Sequence, residues 1–344
     1  MKQQSDGMQM LDLVIYPAFC VKNRIITRLN VPAAKLFLRE GLSLDTILDS
    51  GAEEYAAFSS GMLCLTLIIC GQRFGASVVR MDEEDLFTLD RQYESEELRV
   101  LALAARELRG PLSNAMLATQ QLEAESPQLS RLNRSLYQLL RIVGNMSDAS
   151  GVSPLFRPEP CNIDALFREI YEKAAALTGS TGIRFSYKGL NRDVTCFIDR
   201  QQLERAALNL ISNALKYTPK NGHIQLELLP SGKQYRFSVT DSGSGIPEKE
   251  RATLFTRYLR EPAIEDTRHG IGLGMLLVRL TAARHGGAVL VDFPKEGGTR
   301  VSITFSNVPG QEQVLHTAFL PADYAGEQDH ALIELSEYLP IEKY

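Results

Sequence analysis

Two hydrophobic periods alternate along the chain. Up to residue 90 the apolar positions fall in short β-like runs. LDLVIYPAFCVKNRIITRLN, residues 11–30, holds two such runs broken at Lys22-Asn23, which predicts a hairpin. VPAAKLFLR, residues 31–39, reads as a helix that tolerates Pro32 in its first turn. MLCLTLIIC (62–70) and FGASVVRM (74–81) predict a second strand pair turning about Gly71. From 93 to 122 the period changes. With Leu98 at heptad position a, the a residues are Leu98, Ala105, Leu112 and Thr119, and the d residues are Leu101, Leu108, Ala115 and Leu122. Seven of these eight are apolar, which predicts a helix with a coiled-coil-like seam. EAESPQ breaks it. A second helix follows, with Leu129, Leu132, Leu136, Leu139, Val143 and Met146 on the same spacing.

Two helices joined by so short a break form an antiparallel hairpin. Each still exposes an apolar stripe, so two hairpins are expected to pair as a dimeric four-helix bundle. Packing of the hairpin on the rest of its own chain is the alternative. GVSPLFRPEP (151–160) reads as a linker. Beyond it, helical and strand-like segments alternate. NIDALFREIYEKAAALT, RQQLERAALNLISNALKYT and GMLLVRLTAARHGG read as helices, and IRFSYKG, VTCFID, HIQLELLP, YRFSVTD, AVLVDFP and GTRVSITF as strands. ALIELSEYL (331–339) reads as one more short helix. The expected organisation is an α+β domain over 1–90, a helical hairpin over 91–150, an α/β domain over 151–308 and a tail over 309–344.

Length and composition narrow the function classes. At 344 residues, with 44% hydrophobic and 23% charged residues, the chain has material for two or three globular domains. A net charge of −5 argues against nucleic acid as the main partner. The longest apolar run, MLCLTLIIC, is far too short for a bilayer span of about 20 residues. MKQQSDGMQM lacks the apolar core of a signal peptide, so a cytoplasmic protein is expected. The five cysteines, Cys20, Cys64, Cys70, Cys161 and Cys196, show no CxxC spacing, which predicts reduced thiols rather than a zinc site.

Three stretches of the α/β domain carry candidate chemistry. In NLISNALKYT, Asn209 and Asn213 stand four apart on one helix face, with Lys216 near it. Two amide oxygens suit a hard cation such as Mg²⁺, and a lysine suits phosphate. In DSGSGIP, Asp241 ends a strand and can accept a hydrogen bond from an exocyclic amine, while Gly243 and Gly245 let backbone approach a ligand. In HGIGLGM, Gly270, Gly272 and Gly274 precede a helix, where backbone N–H groups suit anions. Each stretch alone has a plain structural reading: a solvated helix face, a strand-end turn, a glycine loop. The polar LREPAIEDTR before the glycines reads as a lid.

In order and spacing the three together resemble the ATP-binding domain of sensor histidine kinases, within the wider family shared with gyrase and Hsp90-type ATPases. LFTRYLR (254–260) and GGTR (297–300) are similar to further segments of those kinases. The resemblance implies an α/β sandwich that binds ATP and Mg²⁺. It places Asn209 and Asn213 on Mg²⁺ and phosphate, Lys216 on phosphate, Tyr217 over the adenine and Asp241 on the adenine amine. Gly243, Gly245, Ile246, Gly270, Gly272, Leu273, Gly274 and Thr299 would line the nucleotide. Upstream, ARELRGPLSN is similar to the segment S-H-E-L-R-T-P-L on which those kinases accept phosphate. PAFCVKNRIITRLNVPAAKLF more weakly resembles a PAS sensor domain. A homodimer and a response regulator partner are further implications.

Two positions of the acceptor segment depart from the pattern. Arg106 stands where the histidine belongs, and Gly110 where the family has a polar residue. A guanidinium stays protonated and offers no lone pair, so it cannot replace a neutral imidazole as nucleophile. Glu107, the would-be proton acceptor, remains, with an exposed helix charge as its plain reading. The five histidines, His223, His269, His285, His316 and His330, lie outside the hairpin. The expectation is a histidine-kinase-like signalling protein, either a kinase with unusual phosphochemistry or an ATP-binding pseudokinase, with loss of autophosphorylation favoured. A gyrase-type ATPase is disfavoured, because Arg205 sits one turn before Asn209 where a water-activating glutamate is needed.

Overall fold

The computed structural model describes residues 11, 16–81, 84–89, 96–122, 126–149, 156–246, 273–307 and 329–344. The first predicted hairpin is β1 (Ala18–Lys22) with β2 (Ile25–Leu29), and the turn falls on Asn23 and Arg24 at φ 52° and 62°. Those positive values are what a two-residue hairpin turn of the right twist needs. The next helix, α1 (Val31–Ala34), is a single turn, shorter than the 31–39 expected. Asn30 starts it by accepting the Ala33 N–H, and the same side-chain oxygen accepts Ala18 N–H, which ties the helix to β1. Phe37, at φ 62°, turns the chain away. Then come β3 (Leu48–Ser50), α2 (Ala52–Ala57), β4 (Met62–Ile69), β5 (Gln72–Arg80) and β6 (Asp85–Leu89).

Helices α3 (Glu96–Gln120) and α4 (Pro127–Ala149) form the hairpin. Its buried seam is Ala105, Leu112 and Met116 against Leu136, Leu140 and Val143. Thus the predicted a positions Ala105, Leu112 and Thr119 of α3 point inward. The d residues Leu108 and Leu122 face out, as do Leu132 and Leu139 of α4.

The last part contains β7 (Glu159–Asn162), α5 (Ile163–Thr178), β8 (Arg184–Lys188), β9 (Thr195–Ile198), α6 (Arg200–Tyr217), β10 (His223–Ser231), β11 (Gln234–Asp241), α7 (Leu273–Arg284), β12 (Val289–Asp292), β13 (Arg300–Phe305) and α8 (His330–Glu334). The end of the expected linker is thus a strand, β7, paired with β9 in a small separate sheet. Asn162 and Asp199 start α5 and α6 by accepting N–H groups three residues on. The apolar faces of these helices close over the main sheet, where Phe167 stacks on Phe237 at 4.3 Å between ring centres.

The strands of the N-terminal part and most of those of the C-terminal part share one sheet. Strand order is β2-β1-β6-β5-β4-β12-β13-β11-β10-β8, with β3 beside β4. The junction is antiparallel, with Leu63 opposite Leu290 and Met62 opposite Val291. Strand β4 is apolar at nearly every position because both of its faces are covered. The N-terminal strands therefore continue the C-terminal sheet, and Thr304 of β13 donates a hydrogen bond to the buried Glu54 of α2.

Candidate nucleotide-binding site

Helix α6 buries Leu203, Ala206, Ala207, Leu210, Ile211 and Ala214 in the core, and that fixes its polar positions. Asn209 is 1% exposed. Its amide nitrogen donates to the Arg205 carbonyl at 3.0 Å and to Glu334 Oε2 at 3.3 Å. Its Oδ1 lies against Gly274 at the start of α7, where an added Cβ would come within 2.7 Å, so glycine is required there. Asn213, one turn on, is half-buried and donates to the Met275 sulfur at 3.3 Å. The structure thus brings the two asparagines to the first residues of α7. Lys216 Nζ sits 5.5 Å from the Tyr217 ring centre, and Tyr217 is 44% exposed.

Asp241 ends β11 in a cradle of glycines. Its Oδ1 accepts the Gly243 N–H at 2.8 Å, and its own N–H donates to the Thr299 carbonyl at 2.9 Å. Burial pushes the carboxyl above the ordinary aspartate range, opposed by hydrogen bonds from the Gly243 and Thr299 backbone. A Cβ at Gly243 would collide with the Tyr217 carbonyl, and one at Gly298, at φ 81°, with the Asp241 carbonyl. These two glycines let three backbone segments converge around one carboxylate. Gly245, at φ 74°, and the half-buried Ile246 continue the same loop. Thr299 is buried beside it. Leu273 packs with Leu276 and Leu277 against Leu101 and Met146 of the hairpin. Gly270 and Gly272, the expected lid, LFTRYLR and His269 lie outside the described residues.

Among the described residues, no group of three or more His, Cys, Asp or Glu is placed to hold a metal ion. A hard cation at Asn209 and Asn213 would therefore complete its oxygen shell from phosphate and water, which is how Mg²⁺ usually binds with nucleotides. The amide donor set fits that role.

Arg106 and Glu107 are exposed on α3. A side chain at Gly110 would meet open space, so nothing steric demands glycine there. His285 is fully buried. Its Nδ1 lies 2.8 Å from the Thr281 carbonyl and its Nε2 accepts the Asp199 N–H at 3.1 Å, which fixes a neutral ring protonated on Nδ1. Burial lowers its pKa. It serves the core, not phosphate chemistry.

A polar cluster that sequence reasoning missed borders the site. Glu334 of α8 is 0% exposed and meets Arg205 Nε at 3.3 Å and Arg141 Nε at 3.4 Å. Arg205 also pairs with Asp148 and Asn145 of α4. Arg141 donates to Ser212 Oγ at 2.9 Å. The sequence places Arg205 one turn before Asn209 and makes ALIELSEYL a helix, but it does not identify their pairing.

A buried carboxylate in a glycine cradle thus lies beside a helix carrying two amides and a lysine. Residues 198–309 match the family described as histidine kinase-, DNA gyrase B-, and HSP90-like ATPase. The chain is also a sequence relative of sensor histidine kinases. It is 32% identical over 253 residues to the adaptive-response sensory kinase SasA of Synechococcus sp. (strain CC9311), covering 69% of this chain and 63% of that protein. It is 31% identical over 233 residues to a kinase of the same name from Prochlorococcus marinus, covering 64% and 59%. The chain spans about six-tenths of the length of these relatives. Among solved structures, full-length ShkA in complex with AMPPNP is similar at 25% identity and a TM-score of 0.49, over 60% of this chain and 45% of that one. The histidine kinase ThkA in complex with the response regulator protein TrrA is similar at 20% identity and a TM-score of 0.44, over 88% and 98%. No helix among the described residues is long and apolar enough to cross a membrane.

Proposed function

We propose that the chain is an ATP-binding signalling protein of the two-component type whose hairpin does not accept phosphate. The observation that carries the first half is the Asp241 cradle. A carboxylate 8% exposed, held by Gly243 and bordered by the half-exposed Tyr217, suits recognition of an exocyclic amine under an aromatic cover. In this reading Asp241 accepts from the adenine amine and Tyr217 covers the base. Lys216 meets phosphate, and Asn209 and Asn213 supply amide oxygens to Mg²⁺. Gly243, Gly245, Ile246, Gly270, Gly272, Leu273, Gly274 and Thr299 shape the pocket. Bound there, ATP supplies a transferable γ-phosphate.

The second half rests on Arg106. It is exposed on α3 in the acceptor segment, with Glu107 next to it. Its side chain offers five N–H donors and no lone pair. It can hold a phosphate by charge, but it cannot attack one. The pseudokinase reading is therefore favoured over a kinase with altered acceptor chemistry. The gyrase-type reading stays disfavoured, because the carboxylates around Arg205, those of Asp148 and Glu334, are engaged by its guanidinium.

Exposed Val100, Leu103, Leu108 and Leu117 on α3, with Leu132, Leu139 and Ile142 on α4, support a homodimer through the hairpin. The order β2-β1-β6-β5-β4, read with its sequence resemblance, supports a PAS-like sensor role for the N-terminal part. A response regulator is the partner this assignment implies. Calorimetric titration with Mg·ATP tests the site, and incubation with γ-labelled ATP tests phosphate transfer. Micromolar binding without stable label on the chain is the expected result.

A further inference from the structure

We propose that residues 329–344 are an inhibitory clasp, which pins the hairpin to the ATPase-type domain and withdraws Asn209 from Mg·ATP. The proposal rests on the nucleotide reading of that site. Neighbouring residues of the segment belong to different bodies. Ile333 is buried in the hairpin core, whereas Ala331, Leu335 and Leu339 are buried in the core of the ATPase-type domain. Between them, the Glu334 carboxylate accepts from Asn209 on one body and pairs with Arg141 on the other. The segment is therefore a wedge that holds both at once.

Its polar contacts make the fit specific. Arg134 of α4 donates to the carbonyls of Ser336 and Glu337 at 3.2 and 2.8 Å. The Tyr344 ring lies 5.0 Å from that of Tyr137. Arg141 also meets Glu337 at 3.1 Å.

The clasp and the nucleotide compete for one helix face. With Glu334 docked, Asn209 is 1% exposed and its amide N–H is directed to a carboxylate. Arg141 and Arg205 hold that carboxylate in place, so it stays on the Asn209 amide while the tail is docked. Mg·ATP must then displace Glu334, or bind weakly while it stays. Loosening the tail should raise nucleotide affinity, and saturating nucleotide should loosen the tail, because the coupling is reciprocal.

The test uses the full chain and two readouts. Calorimetry gives Mg·ATP affinity for wild type, Glu334→Gln and Arg134→Ala. The second variant touches only the tail's backbone and leaves the buried cluster intact, so it serves if the first fails to fold. Hydrogen exchange follows the tail amides of wild type with and without Mg·ATP. Each variant should bind about tenfold tighter, the equivalent of one lost charge-assisted hydrogen bond. Mg·ATP should speed exchange at residues 333–339 several-fold. Equal affinities with unchanged tail exchange overturn the clasp and leave the nucleotide site standing. Absence of Mg·ATP binding in all three folded proteins overturns the site and the clasp with it.

Discussion

Replacing Asp241 by asparagine separates adenine recognition from folding. The wild-type Oδ1 accepts the Gly243 N–H at 2.8 Å. An asparagine can keep that bond with its amide oxygen, which puts the NH₂ group where the second carboxylate oxygen was. In a pocket built for adenine, a donor then faces a donor. A mispaired buried polar group costs about 1–3 kcal/mol, so Mg·ATP should bind about 5- to 150-fold more weakly. Stability should hold or rise slightly. Burial already raises the Asp241 pKa, so the ionised carboxylate is held at some expense that the neutral amide avoids. Guanine offers a carbonyl at the corresponding place, so the penalty for Mg·GTP should be smaller, or reversed. The assay is calorimetry with both nucleotides, alongside thermal unfolding of each protein. Unchanged ATP affinity in a folded variant would remove Asp241 from the role. An equal loss for both nucleotides would point to a collapsed cradle rather than a misread base.

Two further outcomes follow from the geometry. Leu108 is 52% exposed on α3 and Leu139 is exposed on α4, so Leu108→Asp with Leu139→Asp should convert a dimer to a monomer in sedimentation with little change in Tm; a wild type already monomeric at micromolar concentration would contradict the hairpin dimer. His285 is buried with its pKa lowered from 6.5, so its contribution to stability is complete above that value and is lost as pH falls below it, by up to about 1.4 kcal/mol per pH unit until the folded-state pKa is reached; denaturant midpoints at pH 7.5 and 5.5 should show the loss, and His285→Gln should lessen it.

Local features of this fold are legible in the sequence, and long-range ones are not. Asn209 and Asn213 share a helix face through simple periodicity. The strand ends at Asp241 and the turn at Cys70-Gly71 follow from residue chemistry. The helix from Val31 falls short because the exposed Phe37 takes a left-handed φ of 62°, which the periodic pattern does not reveal. The heptad reading of α3 selects the helix correctly. It does not say which stripe faces α4, and Leu108 at d points out while Met116 is buried. The pairing of β4 with β12 leaves no mark in either strand, since any apolar edge strand can accept a neighbour. Glu334 is likewise silent: one acidic residue in a short helix carries no sign of the arginines and the asparagine it meets. Its meeting with Arg205 and Asn209 of α6 and Arg141 of α4 depends on three elements packing together.

The measurement closest to the central claim is incubation of the full chain with γ-labelled ATP and Mg²⁺, run beside an Arg106→His variant. Both proteins should bind ATP equally by calorimetry. Wild type should carry no acid-labile, base-stable label. The variant regains an imidazole at the exposed position next to Glu107 and should acquire such label. Label of that kind on wild type would contradict the account and place the acceptor on another residue.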